Sequence, residues 1–177
     1  MRVFEYQSTP GFAQFNAWER RTETDARTFV SRFLEWQIER PRVRYQLAIQ
    51  LRANQQMIGN CGIRSSRELV DGEMGFELDQ RYWGRGYATE AANSMLDFAF
   101  SNLRLKVVRA QCVSENFASA RVMRRLGMRY ERTERASIWM KDRWWDTDQF
   151  SLTAEAWKRE PATKRSEPIS AYSRHGQ

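Results

Sequence analysis

Residues 81–88, with the sequence Arg-Tyr-Trp-Gly-Arg-Gly-Tyr-Ala, constrain the fold more than any other segment. They follow a strand-like run at 74–78 and lead directly into a helix-like run at 88–100. Gly84 and Gly86 allow the backbone to turn tightly and to bring bare amide N–H groups close to a ligand. The start of the helix adds unpaired N–H groups and the positive end of a helix dipole. The segment therefore predicts an anion site, and a phosphate or pyrophosphate is its natural occupant.

The glycine loop has two flanking charges but is weak evidence when taken alone. Arg81 and Arg85 would add positive charge that is present at any physiological pH. Many loops of this kind are only tight turns. No Gly-Lys-Ser/Thr follows, which excludes a Walker loop, and Thr89 stands where a dinucleotide fingerprint has its third glycine.

The length, the apolar runs and the few cysteine and histidine residues of the chain narrow the class of protein. A length of 177 residues indicates one domain, which we expect at residues 1–159, with a flexible tail at 160–177. No run approaches the roughly 18–20 apolar residues of a membrane helix, and the N-terminus has no signal-peptide core. Cys61, Cys112 and the single histidine, His175, give neither a disulfide framework nor metal-ligand spacing. We expect a cytoplasmic protein without a metal or a membrane partner.

The net charge of +7 permits an ordinary solvated surface or an anionic ligand. One cluster of arginines stands out, at Arg121, Arg124, Arg125, Arg129, Arg132 and Arg135. The other basic residues are scattered, which argues against a continuous nucleic-acid stripe.

Periodicity predicts an alternation of helices and strands. The first helix has N-cap candidates in Thr22 and Thr24 and is stopped by Pro41. The predicted order is helix, three strands, helix, strand, short helix and hairpin, at residues 24–39, 45–51, 57–63, 73–78, 88–100, 105–113, 117–126, and 133–140 with 144–153. This order indicates an α/β (α+β) layered domain.

A second motif, at residues 116–128, carries a family resemblance. It begins with Asn-x-x-Ser at Asn116 and Ser119 and ends with Leu-Gly-Met. Together with Arg-x-x-Gly-x-Gly at 81–86, it resembles the GNAT superfamily of acyl-CoA-dependent N-acetyltransferases. The segment at residues 73–79 is similar to the corresponding sequence in the branch that contains the ribosomal-protein N-terminal acetyltransferases. The resemblance covers residues 20–157.

The resemblance implies a mixed, mostly antiparallel central sheet flanked by helices. That fold usually begins with an edge strand, whereas the first residues of this chain resemble the middle of its first helix. We therefore expect the first edge strand to be missing or replaced by residues 1–7, which a longer upstream reading frame would explain.

Acetyl-CoA is the cosubstrate that the resemblance implies. The loop N–H groups would hold its pyrophosphate, and the free edge of strand 74–78 would pair with its pantetheine amides. Asn116 would bind the pantetheine arm, although asparagine is also a common helix N-cap. Arg121 or Arg124 would reach the 3′-phosphate or remain solvated. The expected cosubstrate residues are Phe76, Leu78, Arg81, Tyr82, Trp83, Gly84, Arg85, Gly86, Tyr87, Ala88, Asn116, Ser119 and Arg121.

The implied reaction is direct attack of an amine on the thioester, which requires a base because alkyl amines are mostly protonated at neutral pH. Glu73 and Glu77 share one strand face, and we expect Glu73 before Glu77 in that role. The backbone N–H near Leu78 is the expected oxyanion donor. Met123 occupies the position of the tyrosine that commonly protonates the leaving thiolate, so either Ser119 takes this role or the thiolate leaves to solvent.

Three functions remain open at this point. The first is an N-acetyltransferase that acts on a protein N-terminus or a small amine such as an antibiotic or polyamine. The others are a non-catalytic acyl-CoA-binding module and, less favoured, a nucleic-acid-binding domain. Similar proteins are often dimers. Aromatic residues that would line an acceptor slot or belong to the core are Phe12, Phe15, Trp18, Phe29, Phe33 and Trp36.

Overall fold

The computed structural model describes residues 1–159, which form six α-helices and six β-strands. The helices are α1 (Arg2–Gln7), α2 (Pro10–Ala13), α3 (Glu23–Gln37), α4 (Tyr87–Asp97), α5 (Phe117–Arg125) and α6 (Ala154–Arg159). The strands are β1 (Arg44–Gln50), β2 (Met57–Ser65), β3 (Asp71–Leu78), β4 (Val107–Val113), β5 (Arg129–Met140) and β6 (Arg143–Thr153). The tail predicted at 160–177 lies outside the described residues.

The strands form one sheet in the order β1-β2-β3-β4-β6-β5. Every neighbouring pair is antiparallel except β3 and β4, which are parallel. The β3–β4 register runs only from Asp71 opposite Val107 to Glu73 opposite Arg109. Beyond Glu73 the described strands form no further β3–β4 pair, so a gap opens between the carboxyl ends of these two strands.

The two faces of the sheet are covered differently. The main core fills the space between the sheet and helices α4 and α5, and it includes Met74, Leu96, Val108, Met123 and Phe150. On the other face, α1 and α3 form a smaller apolar cluster with Val3, Tyr6, Phe12 and Ala26. Since Met74 and Phe76 face the main core, the alternating residues of β3 face the side of α1 and α3.

The layered α/β architecture and its mostly antiparallel sheet are as predicted. Thr22 caps α3 with a reciprocal capping box, in which Asp25 is the partner. Gly127, with φ +77°, follows α5 in the left-handed conformation expected of a C-terminal glycine. Residues 2–7 are helical, so the described sheet starts at β1 and the usual first edge strand is missing, as expected.

Two boundaries differ from prediction by three or more residues. The helix expected to reach residue 100 changes at Phe98 into a π-helical turn, Phe98–Asn102. In this wider turn Phe98 packs against Tyr45 and Phe100 packs against Trp157, so tertiary contacts override the regular 3.6-residue period. Strand β5 begins at Arg129, four residues early, because residues 129–134 pair with β6 although their charged sequence shows no strand-like alternation.

Leu96→Ala tests the packing of α4 on the sheet. Leu96 is fully buried in the main core, so we expect a loss of about 2–5 kcal/mol in the free energy of unfolding. The matched control is Leu34→Ala, since Leu34 on α3 is 56% exposed. Urea unfolding measures both variants, and equal losses would contradict this assignment of the core.

Candidate active site

The gap between β3 and β4 exposes one edge of β3. The Asp79 N–H donates to the Ile58 carbonyl of β2 at 2.8 Å, so the backbone groups of Asp79 point toward β2. In an antiparallel pair these groups alternate in direction. The backbone groups of Phe76 and Leu78 therefore face β4, at positions where β4 no longer pairs with them. A ligand lying in the gap meets the N–H and C=O of Phe76 and the N–H of Leu78, whereas the Leu78 C=O already accepts the Trp83 indole N–H.

The glycine loop begins where β3 ends. Gly84 and Gly86 have φ of +74° and +87°, in the left-handed region that disfavours other residues, and Gly86 is the N-cap of α4. A Cβ at either glycine would meet no protein atom within 4 Å, so the space above the loop is open. The amide groups at the start of α4 are thus accessible to an anion beside the β3–β4 gap.

Side chains on both sides hold this loop in place. The Trp83 indole N–H donates to the Leu78 carbonyl at 2.7 Å. The Tyr82 hydroxyl donates to the Gln56 side chain at 3.2 Å, and its ring packs edge-on against Tyr87. These contacts connect the loop to the end of β3 and to the β1–β2 turn.

Asp79 and Arg81 form an ion pair under the loop. The Asp79 carboxylate is fully buried and accepts bonds from the Arg81 guanidinium at 2.5–3.0 Å and from the Arg81 backbone N–H at 3.1 Å. Burial would raise the pKa of Asp79, but these bonds and the charges of Arg81 and Arg2 outweigh it and lower the pKa. Arg81 therefore serves first to anchor the loop. Arg85, by contrast, is exposed, with its guanidinium 5.7 Å from the Tyr82 ring centre.

Glu77 lies at the centre of a polar cluster on the α1 side of the sheet. Its Oε2 accepts hydrogen bonds from Gln7 Nε2 at 2.9 Å, Asn60 Nδ2 at 2.9 Å and the Tyr6 hydroxyl at 3.2 Å. All three donors reach this oxygen, which leaves Oε1 free of them. We call Tyr6, Gln7, Asn60 and Glu77 the Glu77 cluster.

The pKa of Glu77 is raised above that of an ordinary glutamate. Burial is the largest cause, and it exceeds the opposing effect of the three hydrogen bonds and the charge of Arg21. Burial, reinforced by the charge of Glu77, also raises the pKa of the Tyr6 hydroxyl, so Tyr6 stays a neutral donor. Two of the donors are held by further hydrogen bonds. Arg21 donates to Gln7 at 3.1 Å, and Gln46 donates to Asn60 at 2.5 Å.

Glu73, which the sequence favoured as the base, lies in a different environment. It shares the strand face of Glu77 but is exposed, beside a groove at the closed end of the gap. The sequence did not identify Tyr6, Gln7 or Asn60, because they come from α1 and β2, far from Glu77 along the chain. A signal existed at Asn60, an uncharged polar residue in the otherwise apolar or glycine-containing run at 57–63.

Helix α5 borders the gap from the other strand. Asn116 caps this helix, with its side-chain oxygen accepting the Ser119 backbone N–H at 3.1 Å. Met123 is buried in the main core and has no acidic proton to give. Arg121 is exposed, and the guanidinium of Arg124 lies 5.6 Å from the Phe150 ring centre. The capping role of Asn116 is therefore present, and its amide NH₂ is left for other partners.

An acyl-cysteine route finds no support in either thiol. Cys61 and Cys112 are buried in the main core, and burial raises the pKa of each to about 12. Their thiolate forms are therefore scarce at neutral pH. Within residues 1–159 no group of three or more His, Cys, Asp or Glu side chains is arranged to hold a metal ion. No helix in the same range has the length and apolar character needed to cross a bilayer.

Most of the aromatic residues expected near the acceptor belong to packing clusters. Phe12 and Trp36 are buried, and Phe29 packs on Phe33. Phe15 is different, since it meets Trp145 edge-on at 6.3 Å in a cluster with Val113 and Met140. This third cluster lies at the open end of β4, on the α1 side of the sheet.

Comparison with known proteins identifies the class. A family model described as an acetyltransferase (GNAT) domain matches residues 1–129. The uncharacterised N-acetyltransferase YnaD of Bacillus subtilis (strain 168) is 29% identical over 155 residues, and the match covers 88% of each chain. The chain belongs to the GNAT acetyltransferase family, and it is an N-acetyltransferase.

Solved structures agree with this assignment. A GNAT-family acetyltransferase from Bacillus anthracis superposes with a TM-score of 0.75 at 27% identity, covering 86% of this chain and 87% of that chain. The ribosomal-protein-S5-alanine acetyltransferase of Vibrio fischeri gives a TM-score of 0.74 at 19% identity, covering 90% and 88%. The latter shows likeness of fold. The resemblance inferred from the glycine loop and the Asn116 motif is thus confirmed.

Asp79→Asn tests the anchoring of the loop. The neutral amide leaves Arg81 without its counter-charge and leaves Arg2 with Glu5 alone, and we expect a loss of about 1–3 kcal/mol in the free energy of unfolding at neutral pH. Because the folded pKa of Asp79 is lowered, its stabilisation is present above the unfolded pKa and disappears as pH falls through the folded pKa. Denaturant unfolding against pH should therefore show the two proteins converging in acid, and a constant difference would contradict this role.

Proposed function

We propose that this chain transfers the acetyl group of acetyl-CoA to a primary amine in a ternary complex, with Glu77 as the general base. The observation that carries the proposal is the position of Glu77, a carboxylate with a raised pKa, one residue from the end of the exposed β3 edge. The acceptor is a protein N-terminus or a small-molecule amine.

The shape and donors of the gap fit coenzyme A. The amides of residues 83–88 would hold its pyrophosphate at the start of α4, with Arg85 adding charge. The backbone N–H and C=O of Phe76 would pair with the pantetheine amides as a further strand does. The amide NH₂ of Asn116, the N-cap of α5, would meet the pantetheine arm, and exposed Arg121 would meet the 3′-phosphate. The bound cosubstrate supplies an activated acetyl thioester.

Glu77 is suited to accept a proton from the attacking ammonium, directly or through water. Its raised pKa makes it a stronger base than an ordinary carboxylate. Since the Gln7 and Asn60 amides hold Oε2, Oε1 would take the proton. The Leu78 N–H faces the gap and would stabilise the developing oxyanion.

The fate of the thiolate differs from the usual arrangement. Met123 stands where a tyrosine commonly donates, and it is buried. Ser119, half-buried on the first turn of α5, has a hydroxyl that would serve in its place. Otherwise the thiolate is released to solvent, which is acceptable because a thiolate is a good leaving group near neutral pH.

Glu77→Gln and Glu73→Gln form a matched pair that tests the base. Both remove one carboxylate from the same face of β3. We expect Glu77→Gln to lower kcat by about 10²–10⁴-fold, the usual contribution of a general base, while acetyl-CoA still binds in calorimetry. We expect Glu73→Gln to keep kcat within about threefold on a small amine. Thiol release measures turnover, and the reverse ranking of the two variants would reject Glu77.

The same assay tests the non-catalytic acyl-CoA-binding module that the sequence alone left open because Met123 replaces the usual tyrosine. A binding module would give calorimetric heat with acetyl-CoA but no amine-dependent thiol release from the wild-type protein. An active transferase gives both.

A further inference from the structure

A groove lies on the α1 side of the sheet, separate from the atoms that the proposed transfer uses. Its volume is about 380 Å³, within the range of small-ligand sites. It occupies the closed end of the β3–β4 gap, at the opposite end of β3 from the glycine loop. The lining side chains that matter are Arg64, Asp71, Glu73, Arg109, Gln111 and Gln149.

Gly75 connects this groove with Glu77. It lies between Glu73 and Glu77 on the same face of β3, and it is exposed. A Cβ at Gly75 would meet no atom within 4 Å, whereas a Cβ at Gly62, the cross-strand partner of Gly75, would meet the Gln46 side chain at 2.1 Å. On this face of β3, no side chain covers the strand between Glu77 and the groove. Helix α1 covers Glu77 itself, through Tyr6 and Gln7.

The distance along the strand sets the length of an occupant. Glu73 and Glu77 are four residues apart, which corresponds to about 13 Å in a β-strand. A ligand that places its amine at Glu77 and runs past Gly75 therefore reaches the groove with groups about 13 Å from that amine. An extended peptide covers this span with its fourth or fifth residue, at about 3.3 Å per residue.

The charges of the groove suit a neutral, amide-rich chain. Arg109 is ion-paired with Asp71, and Gln149 donates to Gln111 at 2.9 Å. Among the described residues Arg64 has no acidic partner at ion-pair distance, and its guanidinium lies 5.5 Å from the Trp36 ring centre. Glu73 has no basic partner at that distance either. One cation, one carboxylate and two amides match the donors and acceptors of a peptide. The two arginines and the two carboxylates of the groove balance in charge, so the groove has no net negative charge that would select a polycation.

We infer that this groove is a distal subsite of the acceptor and that the acceptor is an extended peptide, whose N-terminal amine lies at Glu77. The inference rests on the proposed transfer at Glu77. The peptide runs along β3 over Gly75, and its fourth or fifth residue lies between Arg64, Glu73 and the Gln111–Gln149 pair.

A length series of acceptors with Gly75→Val tests the subsite. The acceptors are uncharged dipeptides and hexapeptides with N-terminal alanine, serine or methionine, and spermine is the polycationic comparator. With the wild-type protein we expect kcat/KM for thiol release to be about tenfold higher for the hexapeptides than for the dipeptides. Valine suits a strand and fills only open space at this position. We expect this variant to lose the gain with length and to keep its dipeptide activity within about twofold.

Gln50→Val is the matched control, an equally exposed strand position on β1 outside the groove. It should keep the full gain with length. The thermal midpoint and acetyl-CoA binding of both variants establish that they are folded.

The possible results distinguish failure of the peptide subsite from failure of the proposed acetyl transfer. Dipeptide turnover with no gain for hexapeptides, an unchanged gain in Gly75→Val, or a higher kcat/KM for spermine than for any hexapeptide would overturn the peptide subsite and leave the proposed transfer intact. Absence of thiol release with every acceptor would overturn the proposed function and the subsite with it.

Discussion

The parallel pairing of β3 with β4 stops at Glu73 and Arg109, and the other features of the site depend on this early separation. Parallel neighbours in a sheet normally satisfy each other's backbone groups along their full length. Here the backbone groups of Phe76 and Leu78 face a strand that has moved away. Polar backbone groups are costly to leave without partners when they are covered, so the gap is a place where a ligand with amide groups is favoured.

The glycine loop is the second consequence of the same separation. Because β3 ends at the gap, the loop and the start of α4 stand directly at its mouth. The positive φ values of Gly84 and Gly86 give the chain its sharp reversal, and the ion pair between buried Asp79 and exposed Arg81 secures the base of the loop. The strand and the loop that follows it thus present a carboxylate, unpaired backbone groups and the accessible amides at the start of α4 in sequence.

The Glu77 cluster shows how the fold sets the chemistry of a single carboxylate. Burial raises the pKa of Glu77, and three hydrogen bonds from Tyr6, Gln7 and Asn60 oppose this rise without cancelling it. Two of these donors belong to α1, which packs with α3 on one face of the sheet. The N-terminal helix is therefore part of the environment of the proposed base.

The sequence predicts the features that local interactions determine, and it does not predict those that depend on tertiary contacts. The glycine loop, the Thr22 cap and the strand alternation are local, and the sequence predicted them. The π-helical turn at Phe98–Asn102 depends on contacts with Tyr45 and Trp157, which no local pattern contains. Glu73 and Glu77 share the same strand face and spacing, so periodicity could not separate them. Only the tertiary contacts of α1 and β2 distinguish the buried glutamate from the exposed one.

The most direct test of Glu77 as the general base is the pH dependence of kcat/KM, measured with saturating acetyl-CoA and one accepted amine. A base must be deprotonated, and burial raises the pKa of Glu77, so activity should rise with pH through a limb whose pKa lies above the ordinary glutamate value of about 4.3. We expect this limb in the wild-type protein and in Glu73→Gln, and we expect its loss from the residual activity of Glu77→Gln. The same limb in all three proteins would contradict the role of Glu77 as the general base.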